Sequence, residues 1–321
     1  MDQGKAWIAL AGAVMAAAAF APARAADPQG FPQHAVRIVA GQQPGSATDG
    51  IARVMADALE TQWGVAVTVD NKPGAGGTIG AEAALHAGAD GYTLFIGGTS
   101  NLVIAPATDA SLRYDPTRDF LPVGRIANVP FGFAVNADVP AKTMGELAAL
   151  ARARPGKLTY VTLGPGTTTG FGMSLFRAEA GVDMLAIEYK GIASAYPDVL
   201  AGRVDVVFNE IGALAQHAQS GRMRILAVAT PHRSTRLPDV PTTGEQGFPR
   251  VVVGSWYGLL APAGTPPEVH KRIADAFALA MRTPAVRKRI ETLGYEPIDD
   301  TPAQFRAALH DDIAAFRALS R

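Results

Sequence analysis

The sequence predicts an α/β protein with two domains. Short apolar runs, typical of buried strands, alternate along the chain with longer amphipathic segments typical of helices. Strands that alternate with helices favour mostly parallel sheets. The 321 residues are many for a single sheet and suit two α/β domains.

The predicted elements follow one another in a regular order. Apolar runs predict strands at Val36–Gly41, Val65–Val69, Tyr92–Gly97, Phe131–Val135, Leu158–Leu163, Met184–Tyr189, Val204–Phe208, Ile225–Ala229 and Ser255–Ala261. Amphipathic spacing, the capping box Thr143-x-x-Glu146 and prolines at helix starts predict helices at Asp49–Trp63, Thr78–Ala87, Thr143–Arg154, Phe171–Ala180, Ser194–Ala201, Ala213–Ser220, Pro267–Met281, Pro284–Leu293 and Pro302–Leu319.

Two proline-containing pairs are candidate domain boundaries. Val129-Pro130 precedes the fourth predicted strand, and Pro249-Arg250 precedes the last one. We therefore expect residues 26–128 with 251–321 to form lobe 1, and residues 129–250 to form lobe 2. If the chain returns in this way, two crossing strands make a hinge, and a cleft lies between the lobes.

The N-terminus predicts export. Lys5 precedes a small apolar core, Ala6–Phe20, and Ala23-Arg24-Ala25 matches a cleavage site, so residues 1–25 are expected to be a signal peptide cleaved after Ala25. A membrane anchor is the weaker alternative, because the run is shorter than the ~20 residues of a spanning helix. The expected location is the periplasm.

Composition excludes several chemistries. The chain has no cysteine, which rules out disulfides, thiolate metal sites and cysteine nucleophiles. Removing residues 1–25 takes away Asp2, Lys5 and Arg24, which leaves 27 basic and 28 acidic residues. This nearly equal number of basic and acidic residues does not indicate a nucleic-acid-binding protein. The six histidines follow no metal-binding spacing, and no G-x-S-x-G or phosphate-loop motif is present. We therefore expect no catalysis, no metal and no cofactor.

Two glycine- and hydroxyl-rich loops are the candidate binding elements. One spans residues 41–49 and the other Gly164-Pro165-Gly166-Thr167-Thr168-Thr169-Gly170, and each joins a predicted strand to a predicted helix. Free N–H groups at a helix N-terminus hold anions such as carboxylates. Either loop alone is also consistent with an ordinary strand-to-helix connection.

A series of short motifs resembles one receptor family along nearly the whole chain after residue 25. The motifs are Pro44-Gly45 with Thr48-Asp49, Asn71-Lys72-Pro73-Gly74-Ala75-Gly76-Gly77, Asp90-Gly91-Tyr92-Thr93-Leu94, Tyr189-Lys190-Gly191, Leu237-Pro238-Asp239-Val240-Pro241-Thr242 and Ser255-Trp256-Tyr257-Gly258-Leu259-Leu260-Ala261-Pro262. In order and spacing they resemble the Bug-type periplasmic solute-binding proteins of tripartite tricarboxylate transporters.

The resemblance implies a Venus-flytrap periplasmic binding protein that makes no covalent change to its ligand. It also implies a small carboxylate held between the lobes and delivered to a membrane complex of one large and one small subunit. We expect a monomer. A ligand-dependent sensory partner of a periplasmic kinase domain is the alternative. The sequence does not name the ligand.

Candidate ligand-binding residues come from the two loops and two strand ends. They are Ser46, Ala47, Thr48, Thr99, Ser100, Asn101, Gly166, Thr167, Thr168, Thr169, Asn209 and Glu210. Relatives commonly have Asp-Asn where this chain has Asn209-Glu210. If Glu210 faces the cleft, it favours ligands with an amine or a protonated ring nitrogen; otherwise it is a solvated loop acid. Lys190 is a candidate cation or a surface lysine, and Tyr257 is expected to pack in the core.

Overall fold

The computed structural model describes residues 30–319, so the predicted signal peptide lies outside the described residues. The strands are β1 (Val36–Ala40), β2 (Val67–Asn71), β3 (Thr93–Gly98), β4 (Phe120–Asn136), β5 (Thr159–Thr162), β6 (Leu185–Glu188), β7 (Val206–Glu210), β8 (Met223–Val228), β9 (Gly254–Pro262) and β10 (Glu296–Pro297).

Helices cover much of the remaining chain. They are α1 (Ala47–Trp63), α2 (Thr78–Leu85), α3 (Ala105–Thr108), α4 (Pro116–Asp119), α5 (Met144–Ala153), α6 (Thr168–Ala180), α7 (Ile192–Leu200), α8 (Ile211–Ala218), α9 (Pro267–Arg282), α10 (Pro284–Thr292) and α11 (Pro302–Leu319). A 3₁₀ turn at Ala75–Gly77 and a π-helical turn at Ser100–Ile104 complete the set.

The ten strands are hydrogen-bonded together: eight follow the order β2-β1-β3-β9-β4-β7-β5-β6, and β10 and β8 pair with β4 off this path. Residues 120–130 of β4 pair with β9, whereas residues 131–136 pair with β7 and β8. We call β1, β2, β3, β9, β10 and the first part of β4 the first sheet. The second part of β4, with β5 to β8, is the second sheet.

The chain passes between the two sheets at two neighbouring points, within β4 and just before β9. Pro130 of β4 pairs with Gly254 at the start of β9, and the next residue of β4, Phe131, pairs with Glu210 of the second sheet. The change of partner falls at the predicted boundary Val129-Pro130. The lobe ranges 26–128 with 251–321, and 129–250, stay a prediction.

The predicted α/β class is confirmed, but the sheets are mixed rather than mostly parallel. The pairs β1–β2, β1–β3, β5–β6 and β5–β7 are parallel, as strand–helix alternation predicts. All pairings of β4 and β9 are antiparallel. A strand can pair in parallel with its neighbour only after a long crossover connection, which is usually a helix. The pairings of β4 and β9 are antiparallel and do not need such a crossover.

Residues 120–130 of β4 were not predicted as a strand. Pro122 and Gly124 interrupt this segment, and the register with β9 shifts at Pro122/Gly124 and again at Arg125/Ala127. Such irregularities disturb the alternation of inward- and outward-facing residues on which strand prediction depends. Both faces of the segment are covered, with Phe120, Val123 and Ile126 buried.

Candidate ligand-binding site

A cavity of about 650 Å³ is lined by residues of both sheets. Its walls come from segments that follow strands: the loop after β1, the turn after β3, the loop after β5 and the junction of β7 with α8. In α/β proteins ligands bind in the crevice outside the carboxyl ends of strands. The cavity is therefore the candidate ligand-binding site.

The first loop, residues 41–46, is braced by its own side chains. Ser46 caps α1, because its Oγ accepts a hydrogen bond from the Asp49 amide at 3.3 Å. The Asp49 carboxylate accepts from the Gly45 amide at 2.9 Å and from Arg53 at 3.0 Å. Burial opposes the ionisation of Asp49, but these hydrogen bonds outweigh it and lower the pKa of the carboxyl.

The first turn of α1 lies at the cavity. Ser46, Ala47 and Thr48 line it, and the amides of Ala47 and Thr48 have no acceptor among residues 30–319. First-turn amides lack intrahelical partners and form the positive end of the helix dipole. This helix end therefore offers two N–H donors to an anion.

The second loop, residues 163–167, starts α6 in the same way. Thr167 Oγ1 accepts a hydrogen bond from the Gly170 amide at 3.1 Å and donates one to the Gly164 carbonyl oxygen at 2.7 Å. The Thr167 hydroxyl is thus used within the loop. Thr168 and Thr169, the first residues of α6, line the cavity, and the Thr169 amide has no acceptor in the described part of the chain.

One contact joins the second loop to the first sheet across the cavity. The Thr168 amide donates to Ser100 Oγ at 3.2 Å, and the two hydroxyl oxygens are also 3.2 Å apart. Ser100 follows β3, whereas α6 packs on β5 and β7. We call each sheet, with the helices packed on it, a half of the molecule. Phe171 of the second half and Phe316 of the first half add a ring contact, with centroids 4.7 Å apart. Ser100 and Thr168, which line the cavity from different halves, are therefore in direct contact.

Ten of the twelve predicted ligand-binding residues line the cavity, and Thr99 and Gly166 do not. Thr99 Oγ1 accepts from the Trp256 amide at 3.1 Å, so its hydroxyl fixes the β3–β9 contact. Asn101 lines the cavity, but its Oδ1 accepts from the Gly98 amide at 3.0 Å. Ligand contact by the twelve residues stays a prediction.

Glu210 lies at the end of β7 and lines the cavity. Tyr257 donates to its Oε1 at 3.0 Å, and Tyr295 donates to its Oε2 at 2.9 Å. Both tyrosines are buried and also line the cavity. Burial raises the pKa of the Glu210 carboxyl, and the two tyrosine hydrogen bonds offset only part of this effect.

Asn209 is held in place by a neighbouring aromatic pair. Its Nδ2 donates to the Tyr196 hydroxyl at 2.8 Å, and the ring centroid of Tyr196 lies 3.9 Å from that of His217. All three residues line the cavity. Burial and the nearby Arg222 lower the pKa of His217, which favours a neutral imidazole here.

Two basic side chains, Lys190 and Arg236, also line the cavity. Both are exposed, and Arg236 donates to the Glu291 carbonyl oxygen at 3.2 Å. Mobile, solvated cations contribute less to binding than fixed amides do. They are therefore secondary candidates for holding an anion.

Sequence reasoning missed part of the cavity wall. Tyr295 was not singled out, and Tyr257 was expected to pack in the core, where it is indeed buried while also reaching the cavity. Tyr295 is 85 residues from Glu210 along the chain, so no local motif links them. The motif Pro73–Gly77 belongs to the family resemblance, but its place in the cavity wall comes from the structure.

Within residues 30–319, no group of three or more histidines, aspartates or glutamates is arranged to hold a metal ion. None of the described helices has the length and apolar character that would let it cross a membrane.

The fold is that of solved periplasmic binding proteins. The chain resembles the periplasmic binding protein BugD, with a TM-score of 0.84, 30% identity and coverage of 90% of this chain and 97% of BugD. Residues 51–319 match the model of the tripartite tricarboxylate transporter family receptor. The chain belongs to this receptor family.

Individual relatives agree with this assignment. Protein BugT of Bordetella pertussis is 31% identical over 98% of this chain and 96% of its own length. MatC from Rhodopseudomonas palustris, solved with bound malate, has a TM-score of 0.85 at 27% identity and covers 91% of this chain and all of its own. An R. palustris protein solved with adipate has a TM-score of 0.85 at 30% identity, covering 90% of this chain and 97% of its own.

Proposed function

We propose that the protein is an extracytoplasmic solute receptor that closes two lobes over a small carboxylate and delivers it to a tripartite tricarboxylate-type membrane transporter. The observation that carries the proposal is that two helix N-termini, those of α1 and α6, open on one cavity from different sheets. The receptor binds and releases its ligand without changing it.

The donor set suits a carboxylate. The free amides of Ala47, Thr48 and Thr169 lie beside the hydroxyls of Ser46 and Thr168. Each hydrogen bond to a charged group contributes about 1.5–3 kcal/mol net. Three or four such bonds support micromolar affinity, about −8 kcal/mol, after the costs of association.

The relatives support the ligand class and the location. MatC was solved with malate and another neighbour with adipate, and both ligands are small carboxylates. The family is that of a transporter's receptor. Together with the predicted signal peptide, residues 1–25, this supports a periplasmic location and a partnership with one large and one small membrane subunit.

The way the sheets are connected supports a closing motion. We propose that residues 26–128 with 251–321 move against residues 129–250 about the crossing strands, near Pro130 and Gly254. A ligand drives closure only by its higher affinity for the closed state. The Ser100–Thr168 contact, which joins the two halves in this structure, is one that we expect the closed state to hold.

A thermal-shift screen tests the proposal. Residues 26–321 are unfolded and refolded to remove carried-over ligand, then heated with a panel of small carboxylates and the matching amides. We expect one or more acids to raise Tm by several degrees while their amides do not, because a ligand that binds the folded state stabilises it. No shift with any acid would contradict carboxylate capture. Loss of uptake of that acid in cells lacking the gene tests delivery.

A further inference from the structure

Glu210 occupies a special position, where the two halves of the molecule meet inside the cavity. It ends β7 and pairs with Phe131 of β4, at the point where β4 enters the second sheet. Its two hydroxyl partners come from the first half: Tyr257 lies on β9, and Tyr295 immediately precedes β10. Glu210 is thus placed by β7 of the second sheet and hydrogen-bonded by two tyrosines of the first half, and it lines the cavity.

This carboxyl has no basic partner among the described residues. Burial raises the pKa of the Glu210 carboxyl, the two tyrosine hydrogen bonds partly offset this, and no lysine or arginine contributes. The basic side chains that line the cavity, Lys190 and Arg236, are exposed. A carboxylate taken from water without a counter-charge is costly, and buried charges in proteins are normally paired.

The hydrogen bonds leave acceptor capacity on Glu210. An ionised carboxylate offers about four lone-pair positions, and the tyrosines fill one on each oxygen. Tyr257 lines the same cavity as Thr48 in the first turn of α1. Tyrosine donors orient the carboxylate but supply no positive charge. What the site lacks is a cation that also donates hydrogen bonds.

We propose that Glu210 is a cation subsite, and that the ligand is a carboxylate that also carries a protonated nitrogen. In this arrangement the helix N-termini of α1 and α6 take the ligand's carboxylate, and Glu210 takes its ammonium or protonated ring nitrogen. The inference rests on the proposed function and deepens it by naming the ligand's second group.

Pairs of ligands that differ only in the nitrogen test the proposal. The probes are amino carboxylates with the amine at increasing distance from the carboxylate, and pyridine carboxylates, each matched with the same acid without nitrogen. Wild type, Glu210→Gln and the control Glu188→Gln are titrated by calorimetry. Glu188 is exposed on β6 and does not line the cavity, so the control removes the same charge elsewhere.

We expect wild type to bind at least one nitrogen-bearing acid about tenfold or more tightly than its matched acid. Glu210→Gln should abolish this preference, with most of the loss falling on the nitrogen-bearing ligand, while Glu188→Gln should retain it. Equal weakening of both ligands in Glu210→Gln, or a preference for plain dicarboxylates in wild type, would overturn the cation subsite while leaving carboxylate capture intact. If no acid binds wild type, the proposed function itself fails.

The pH dependence of wild type gives a second readout that needs no variant. Titratable groups around Glu210 are Tyr257, Tyr295 and, slightly farther, Tyr196, with His217 against Tyr196. As pH falls through the raised pKa of Glu210, its charge is lost. Affinity for the nitrogen-bearing acid should then fall, while affinity for the matched acid stays level or rises. Parallel profiles for the two ligands would contradict the proposal.

Discussion

The two loops at the cavity have the same helix-capping arrangement but differ in the other contacts that hold them in place. Each leads from a strand into a helix whose N-cap hydroxyl accepts the third helical amide: Ser46 for α1 and Thr167 for α6. The first loop is braced locally, by Asp49 with Gly45. The second loop has its bridging contact in the opposite half, where the Thr168 amide donates to Ser100.

This difference assigns different tasks to the loops. A loop braced by its own side chains keeps its donors in place whether or not the lobes are closed, which reduces the cost of ordering on binding. The second loop is also braced locally, by Thr167 with Gly164, but it has in addition the Thr168–Ser100 contact, which requires the two halves to be close together. We infer that the first loop is preorganised and that the second couples ligand binding to closure.

The largest expected effect comes from removing one hydroxyl from each loop. Ser46→Ala with Thr168→Ala should weaken carboxylate binding by at least tenfold, because each lost bond to a charged group costs about 1.5–3 kcal/mol. Calorimetric titration measures it. Since Ser46→Ala also removes a helix cap, Thr143→Ala, which uncaps α5 away from the cavity, is the matched control. Unchanged affinity in the double variant would show that the carboxylate does not bind at these two loops.

A pair of glycines compares how tightly the two loops are packed. A Cβ at Gly41 would lie 2.8 Å from the backbone of Gly77, whereas a Cβ at Gly166 would meet nothing within 4 Å. Gly41→Ala should therefore cost about 1–3 kcal/mol of unfolding free energy, as other overpacking changes do, and Gly166→Ala less than about 0.5 kcal/mol. Urea denaturation measures both values. Equal costs would contradict the difference in packing.

Neighbouring threonines separate capping from bridging within the second loop. Thr167→Ala removes the α6 cap and should lower the unfolding free energy by about 1 kcal/mol. Thr168→Val keeps the shape but removes the hydroxyl that faces Ser100, so it should change ligand affinity more than stability. A double-mutant cycle of Thr168→Val with Ser100→Ala, measured with and without ligand, should show coupling mainly with ligand. Equal coupling in both states would remove the link to closure.

The smallest expected effect is on the stability of the empty protein. Because the pKa of Glu210 is raised on folding, the folded state holds a proton that the unfolded state has lost between the ordinary and the raised value. Its contribution to stability therefore falls as pH rises through that window. Glu210→Gln should remove this slope in urea denaturation, and Glu188→Gln should not. A slope that persists in Glu210→Gln would assign it to another group.

Local patterns were enough to predict the parts of the site that are local. The starts of α1 and α6 follow from Ser46 and Thr167 in hydroxyl-rich turns after apolar runs, and the two loops reach one cavity because strands of each sheet end there. Pairings over long sequence distances left no such pattern. Tyr295 and Glu210 meet only because β4 crosses between the sheets and the C-terminal segment returns to the first one.

A crystal structure of the protein with the carboxylate found by the thermal-shift screen tests directly whether the two helix N-termini hold the ligand. We expect carboxylate oxygens about 2.7–3.1 Å from amides in the first turns of both α1 and α6, with Ser46 or Thr168 as a further donor. A carboxylate held instead by the side chains of Lys190 or Arg236, without contact to either helix end, would contradict it.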